Sequence, residues 1–327
     1  MEKKLNIAII GAGAWGCTLA NYLDYKNKGE IFLYPARQLT AEYLIKHRSL
    51  PKLSEIKINE SINIRREFND EIKKMNFILL AISSKYVRET CRKLLNYVSD
   101  QIIISVTKGL EENSLNTSSE VISNVLNTES VAVLSGPALA IEIQKGLPTA
   151  LVIASEKEKV REILYDLFRS DQIKIIKSEC PRQVEIVAAM KNLVAMIAGL
   201  SDGMKYGANF KAVLMTEIIN ELHCLCKDLN IQDDVFYGVA GLGDAIATAS
   251  GLNSRNYKFG FLLGSGYNVK SAKQKVGMSI EGVNLIGILK KYIEKESKSY
   301  PIVESLYRLT CEENLDKNSL IAEYLKR

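Results

Sequence analysis

Lys191 has the clearest chemical claim of any side chain in this sequence. Counted along Val184, Val187, Ala188 and Lys191, it continues the i, i+3, i+4 stripe of a helix face otherwise built from apolar residues. Desolvation at such a place disfavours the ammonium form and draws the pKa towards neutrality, which suits a group that gives and takes a proton. The same stripe also reads as a stem packed on the core with its amine reaching water. Three loop-like clusters set short polar residues beside glycine: Thr107-Lys108-Gly109, Ser135-Gly136-Pro137, and Gly241-Leu242-Gly243-Asp244, the last followed by Ser254-Arg255-Asn256. A hydroxyl, a guanidinium fork and a carboxamide in succession suit a phosphate oxyanion, which arginine binds bidentately while neutral donors fill the remaining lone pairs. As isolated strings, each of these is also an ordinary turn.

These residues need a scaffold, and the N-terminus names one. Gly11-Ala12-Gly13-Ala14-Trp15-Gly16 follows the apolar run Leu5 to Ile10 and precedes the helix-compatible Cys17 to Leu23. In a dinucleotide-binding βαβ unit the first glycine permits the tight turn, the second lets backbone N–H groups reach a pyrophosphate, and the third lets helix and strand pack closely. The positive end of the following helix favours the phosphate charge. A second strand, Ile31 to Tyr34, follows at the right distance, and an NAD-selective site would usually carry Asp or Glu at its end. The chain instead reads Pro35-Ala36-Arg37, where Arg37 either faces a 2′-phosphate or is a solvated loop residue.

Composition sets the frame. The 327 residues are enough for two domains, and 47% hydrophobic with 25% charged residues describes an ordinary globular chain. The net charge of +5 is spread along the sequence, so neither a nucleic-acid stripe nor a basic tail follows from it. Lys3 and Lys4 before an apolar stretch and Ala12-Gly13-Ala14 imitate a signal peptide, but cleavage there would delete the first strand and the phosphate turn. With no other apolar run near the ~18 residues of a membrane span, a cytoplasmic protein is expected. The six cysteines contain no CxxC pair and are expected to be reduced and structural. His223-Cys224-Leu225-Cys226 lies in a helix-like stretch whose neighbouring side chains point to different faces, and no metal site is expected.

Further strand-like runs lie at Phe77 to Ile82, Ile102 to Val106, Val131 to Leu134, Ala150 to Ile153 and Ile173 to Ile176. Such near-continuous apolar runs are typical of parallel strands covered on both faces. From Pro181 the strand signal disappears, and Gln183 to Leu200, Phe210 to Leu229 and Val283 to Ile293 have helical spacing. The reading is an α/β protein: a Rossmann-type doubly wound domain over residues 1–179, then an all-α domain over 180–327 for substrate and catalysis. No internal repeat or low-complexity stretch interrupts it. In this architecture the cleft lies outside the carboxyl ends of the strands.

The sequence as a whole resembles the bacterial NAD(P)-dependent glycerol-3-phosphate dehydrogenases. The likeness runs in order from the glycine turn through Ser105-Val106-Thr107-Lys108-Gly109-Leu110-Glu111, Ser135-Gly136-Pro137 and Ala189-Met190-Lys191-Asn192. It continues in Gly199-Leu200-Ser201-Asp202-Gly203, Gly241 to Asp244, Ser254-Arg255-Asn256 and Glu281-Gly282-Val283, covering nearly the whole chain. The resemblance implies that Gly11, Gly13, Ala14, Trp15 and Gly16 hold NAD or NADP, with Arg37 beside them. It implies that Lys108 touches both cofactor and substrate and that Lys191 is the catalytic proton acceptor. Gly136, Asp244, Ser254, Arg255 and Asn256 would bind substrate, with Arg255 also near the cofactor, while Ala140, Ser279 and Glu281 would contact the nicotinamide half.

Three departures bear on those roles. Ala138 stands where relatives often have a serine, so a substrate contact there would come from the backbone. The arginine usually found after the second strand falls at Ala36, with Arg37 one place later, which leaves the cofactor preference open. Gly277-Met278-Ser279-Ile280, before Glu281, is less typical of the family. The implied reaction is hydride transfer at C2 of a three-carbon phosphate, interconverting dihydroxyacetone phosphate and sn-glycerol 3-phosphate for phospholipid synthesis, without a metal. The implied partners are that small phosphorylated substrate and, in the assembly, a second copy. A hydroxy-acid dehydrogenase of the ketopantoate-reductase kind and a non-catalytic nucleotide sensor are the alternatives.

Overall fold

The computed structural model describes residues 5–51, 53–111, 114–251 and 254–312; Lys3 and Lys4 of the signal-like segment lie outside them. The chain divides into two compact units, Met1–Glu111 with Asn116–Glu185, and Glu112–Leu115 with Ile186–Arg327.

The first unit is built on the β-branched runs. Its strands are β1 (Leu5–Ile10), β2 (Gly29–Tyr34), β3 (Ser49–Leu50), β4 (Leu53–Lys57), β5 (Asn63–Ile64), β6 (Phe77–Leu80), β7 (Ile102–Ser105), β8 (Val131–Ser135), β9 (Thr149–Ala154) and β10 (Ile173–Ser178). Eight of them form one sheet in the order β10-β9-β8-β7-β6-β1-β2-β5, and β3 pairs with β4 in a separate antiparallel ribbon. The helices α1 (Ala14–Tyr25), α2 (Gln38–His47), α3 (Val87–Leu94), α4 (Ser118–Leu126), α5 (Ala140–Gln144) and α6 (Glu158–Phe168) complete the unit. Alternation along the strands feeds two cores. Ile7, Ile9, Ile31, Leu33 and Leu79 pack on one face, and Ala8, Ile10, Phe32, Ile78 and Leu80 on the other.

Apolar runs on both faces suggested a parallel sheet, and one pairing departs from that reading: β9 runs antiparallel to β8. The segment between them holds only the five-residue α5. At 1.5 Å per residue that helix spans about 7.5 Å, against about 16 Å for a five-residue strand, so α5 does not run the length of the sheet as a crossover helix would. The chain therefore returns alongside β8, and β10 pairs parallel with β9. Where the strand order reverses, β1 lies between β2 and β6, and this switch point is where a doubly wound sheet opens a crevice for a ligand.

From Pro181 onwards the described residues contain helices and no strand. They are α7 (Pro181–Met204), α8 (Gly207–Asp228), α9 (Asp233–Tyr237), α10 (Asp244–Ala249), α11 (Arg255–Gly264), α12 (Val269–Val276), α13 (Glu281–Lys295) and α14 (Pro301–Tyr307). Helix α7 is, among the described residues, the one helix long and apolar enough to cross a membrane, yet 94% of that window is buried inside the protein. Part of its apolar surface is a backbone-to-backbone seam with α11. A Cβ at Gly260 would lie 2.0 Å from the Met196 carbonyl oxygen, and one at Gly199 would lie 2.0 Å from that of Tyr257. Only hydrogen fits at such an approach.

Candidate active site

In the first unit the glycine turn sits at the switch point. Gly11 has φ +109°, its N–H donates to the Tyr34 carbonyl at 2.8 Å, and a Cβ on it would lie 2.2 Å from the Ala81 carbonyl oxygen just past β6. A Cβ on Gly16 would meet the Gly11 carbonyl at 2.0 Å, whereas one on Gly13 would have no neighbour within 4 Å. The outer two glycines are thus required by the fold itself, and the middle one leaves open space over the start of α1. No acidic side chain occupies the first turn of α1, so nothing there opposes an anion at the positive helix end. Burial pushes the neighbouring Cys17 thiol up to about 12, which keeps it neutral beside the turn. The Trp15 indole N–H is buried without a hydrogen-bond partner among the described residues. These features fit a dinucleotide pyrophosphate. Arg37 is exposed at the N-cap of α2, directly after the buried end of β2.

Lys108 follows β7 and is half-buried, and its ammonium donates to the Gly136 carbonyl at 2.8 Å. Gly136, at φ +119°, turns the chain sharply after β8, and its Cβ position lies 3.0 Å from the Ala150 carbonyl. Ala138 and Ala140 are half-buried against the core, and the Ala140 carbonyl accepts from Thr18 Oγ1 at 3.4 Å. Lys108 and Gly136 are brought into direct contact; Arg37 stands apart from them at the end of β2.

In the second unit Lys191 Nζ lies 2.7 Å from Asp244 Oδ1, with only 11% and 2% of the two side chains exposed. The lysine therefore does not reach out to water from an apolar face, as one sequence reading had it; it ends on a buried carboxylate. Asp244 begins α10 immediately after a π-type turn, Val239–Gly243, an irregularity common at functional sites. Thr248, one turn on, donates to the Asp244 backbone carbonyl at 2.6 Å and approaches Oδ1 at 3.2 Å. The sequence reading did not single out Thr248, although its i+4 spacing from Asp244 was there to be used.

The Ser254-Arg255-Asn256 cluster forms the first turn of α11, and two of its side chains have structural work. Ser254 Oγ caps the helix by accepting from the Tyr257 N–H at 3.3 Å. Asn256 is buried; its Nδ2 donates to Asn192 Oδ1 at 2.7 Å and its Oδ1 accepts from the Gly282 N–H at 2.9 Å. Arg255 is exposed and donates through Nη1 to the Ser279 carbonyl at 3.0 Å, with Glu281 opening α13 two residues later. Asn192 follows Lys191 on α7, so the Asn192–Asn256 bond ties this stretch of α7 to the α11 N-terminus. Arg255, Ser279, Glu281 and Gly282 frame its other side. Lys191 can move a proton at one atom, and the α11 N-terminus with Arg255 can hold an anion.

His223 pairs with Asp233 at 2.8 Å, Cys226 is buried and Cys224 exposed. Among the described residues no group of three His, Cys, Asp or Glu side chains is placed to hold a metal ion.

A doubly wound sheet with a glycine turn at its switch point, and a helical unit with a buried lysine and a helix start at Arg255, fit the class of nicotinamide-dependent dehydrogenases. The comparisons are more specific. Residues 6–161 match the model described as NAD-dependent glycerol-3-phosphate dehydrogenase N-terminus, and residues 181–321 match its C-terminus. A glycerol-3-phosphate dehydrogenase [NAD(P)+] of Agathobacter rectalis is 33% identical over 316 residues, covering 96% of this chain and 94% of that protein. One from Fusobacterium nucleatum is 34% identical over 92% of this chain and 91% of its own length. The crystal structure of a glycerol-3-phosphate dehydrogenase from Coxiella burnetii superimposes with a TM-score of 0.91 at 28% identity, over 99% of both chains. The chain belongs to the family of NAD-dependent glycerol-3-phosphate dehydrogenases. It is an oxidoreductase interconverting dihydroxyacetone phosphate and sn-glycerol 3-phosphate with NAD or NADP, and the hydroxy-acid and sensor alternatives are set aside.

Proposed function

We propose that Lys191 is the proton-transfer group of this reaction and that its pairing with Asp244 sets its charge and position. The observation that carries the reading is the 2.7 Å contact between two side chains almost wholly removed from water, joined through Asn192 to the turn bearing Arg255. Nicotinamide, when bound, supplies the hydride acceptor or donor. As the amine, Lys191 takes the proton of the C2 hydroxyl; as the ammonium, it stabilises and protonates the alkoxide formed at C2. Asp244 holds the ammonium by a charge-assisted hydrogen bond, with Thr248 fixing the carboxylate. The α11 N-terminus and Arg255 bind the substrate phosphate, so that C2 is presented to Lys191 in one orientation. Ser254 and Asn256 contribute there through the helix end that they shape, together with whatever donor capacity their side chains retain.

On the cofactor side we assign the pyrophosphate to Gly11, Gly13, Ala14, Trp15 and Gly16, and the adenosine ribose to the neighbourhood of Arg37. Lys108 meets both cofactor and substrate, Gly136 and the Ala138 backbone line the substrate, and Ala140, Ser279, Glu281 and Arg255 stand at the nicotinamide half. In this reading residues 1–179 form the dinucleotide-binding domain and 180–327 the helical substrate and catalytic domain, with Lys108, Gly136 and Ala138 of the first also on the substrate. The enzyme works in the cytoplasm, as a homodimer, supplying glycerol 3-phosphate for phospholipid synthesis. What supports that location is that the one membrane-length helix among the described residues is spent on the protein core.

The test is to follow reduced-nicotinamide absorbance with dihydroxyacetone phosphate for the protein and for Lys191→Ala. The variant is expected to lose turnover while binding NADH and NADPH as tightly as before. Turnover within a few-fold of the parent, or loss of cofactor binding, would overturn the assignment of Lys191.

A further inference from the structure

Glu185 is a buried ionisable side chain outside the proton-transfer machinery. It is 2% exposed, and its carboxylate accepts from Ser105 Oγ at 3.0 Å, from the Ser119 N–H at 3.0 Å and from Ser119 Oγ. Burial pushes this carboxyl above its ordinary range, and the serine donors pull it back. The N–H of Ser119 belongs to the first turn of α4, whose positive end also favours an anion. A carboxylate is costly at such a depth, and an apolar side chain of similar size would serve packing alone.

Its partners show what it holds. Ser105 is the last residue of β7, three before Lys108. The segment between is pinned by Thr107, whose hydroxyl reaches the Leu80 and Ile82 carbonyls at 3.2 and 3.0 Å. Past Lys108, Glu111 is gripped by the Arg88 guanidinium at 2.6 and 3.1 Å. Beside Glu185, Arg182 Nε donates to Glu120 Oε1 at 3.0 Å, so the start of α7 is tied to α4 at two points. The loop carrying Lys108 is therefore staked at both ends by carboxyl groups, one of them buried and hydrogen-bonded by Ser105 and Ser119.

We propose that Glu185 is a positioning residue of the dehydrogenase: by clamping the end of β7 to the N-terminus of α4 it fixes Lys108 for contact with cofactor and substrate. This rests on the reading of Lys108 given above. In Glu185→Met no side-chain oxygen is left to accept from the Ser119 N–H or from the two serine hydroxyls, so the clamp is broken with little change of volume.

A double-mutant cycle with Lys108 tests it, read as kcat/KM for dihydroxyacetone phosphate, with NADH binding and thermal unfolding recorded alongside. Glu185→Met is expected to lower kcat/KM by about tenfold or more, the size of the hydrogen bonds lost when the buried carboxyl is removed. In the Lys108→Ala background the same change should cost less than about twofold, because the group it positions is gone. Equal losses in both backgrounds would reduce Glu185 to a structural residue and overturn the proposal. If Lys108→Ala itself leaves kcat/KM unchanged, the reading of Lys108 fails first and the proposal falls with it. Should Glu185→Met not fold, Ser105→Ala removes one hydroxyl from the clamp and enters the same cycle, with the same non-additive result expected and the same additive result overturning it.

Discussion

Breaking the Lys191–Asp244 pair from either side should cost stability as well as turnover, and breaking it from both sides should cost less than the sum. The pair is separated by 2.7 Å and almost wholly buried. Lys191→Met leaves a carboxylate at a site 2% exposed, while Asp244→Asn leaves an ammonium facing an amide. Removing one member of a buried pair typically costs about 3–5 kcal/mol, because the survivor keeps its desolvation penalty without its partner. Against a total stability of about 5–15 kcal/mol that is a large fraction, and it corresponds to a fall of about 6–20 °C in the unfolding midpoint. The double variant buries neither charge and retains an amide that can bond Thr248, so most of the second penalty should vanish. Urea unfolding of the four proteins gives the coupling energy, expected to be about 2 kcal/mol or more in favour of the double variant. Turnover should be lost in all three variants. Additive stability losses would refute the claim that the two charges sustain each other, and would reduce the contact to a packing neighbourhood.

Gly13→Ala should leave unfolding unchanged within about 0.5 kcal/mol yet weaken NADH binding by about tenfold or more, since its Cβ meets nothing within 4 Å of the protein; fluorescence titration checks this, and unaltered binding would move the pyrophosphate elsewhere. Arg37→Ala should lower kcat/KM for NADPH by about tenfold or more while NADH changes less than about twofold, and an unchanged ratio would return Arg37 to a solvated loop role. Asp228 is held below the ordinary carboxylate range by Lys298 and the Tyr300 hydroxyl. Its folded pKa lies below its unfolded one, so its contribution is present near neutrality and is lost as pH falls through the depressed value. Asp228→Asn should therefore be less stable than the parent at pH 7, with the gap closing in acid; a constant gap across a pH series of unfolding midpoints would contradict the linkage.

What sequence could and could not deliver follows from the range of each interaction. The glycine turn was legible because its geometry is local: three glycines and two flanking periodicities fix the strand, the turn and the helix. Lys191 was legible because it interrupts an apolar helical stripe, but its partner was not, since Asp244 lies 53 residues further on. Ser254 and Asn256 read as phosphate donors, and in the fold they first act as a helix cap and a bridge to Asn192. Short polar residues before a helix serve caps and ligands alike, so type and spacing do not separate the two uses. The antiparallel β9 was hidden because parallel and buried antiparallel strands share the same apolar composition. The strands β3 to β5 are two to five residues long, below what periodicity resolves.

The composition of α7 has a consequence during synthesis. As the segment leaves the ribosome, before the helices that follow it exist, it carries the length and apolar character of a bilayer-spanning helix. Lys191 stands near its middle, where a lysine costs about 2.5–3.5 kcal/mol in membrane insertion. The ammonium assigned to proton transfer in the folded enzyme therefore weighs against misrouting of the nascent chain, and Lys191→Leu would remove catalysis and that safeguard together.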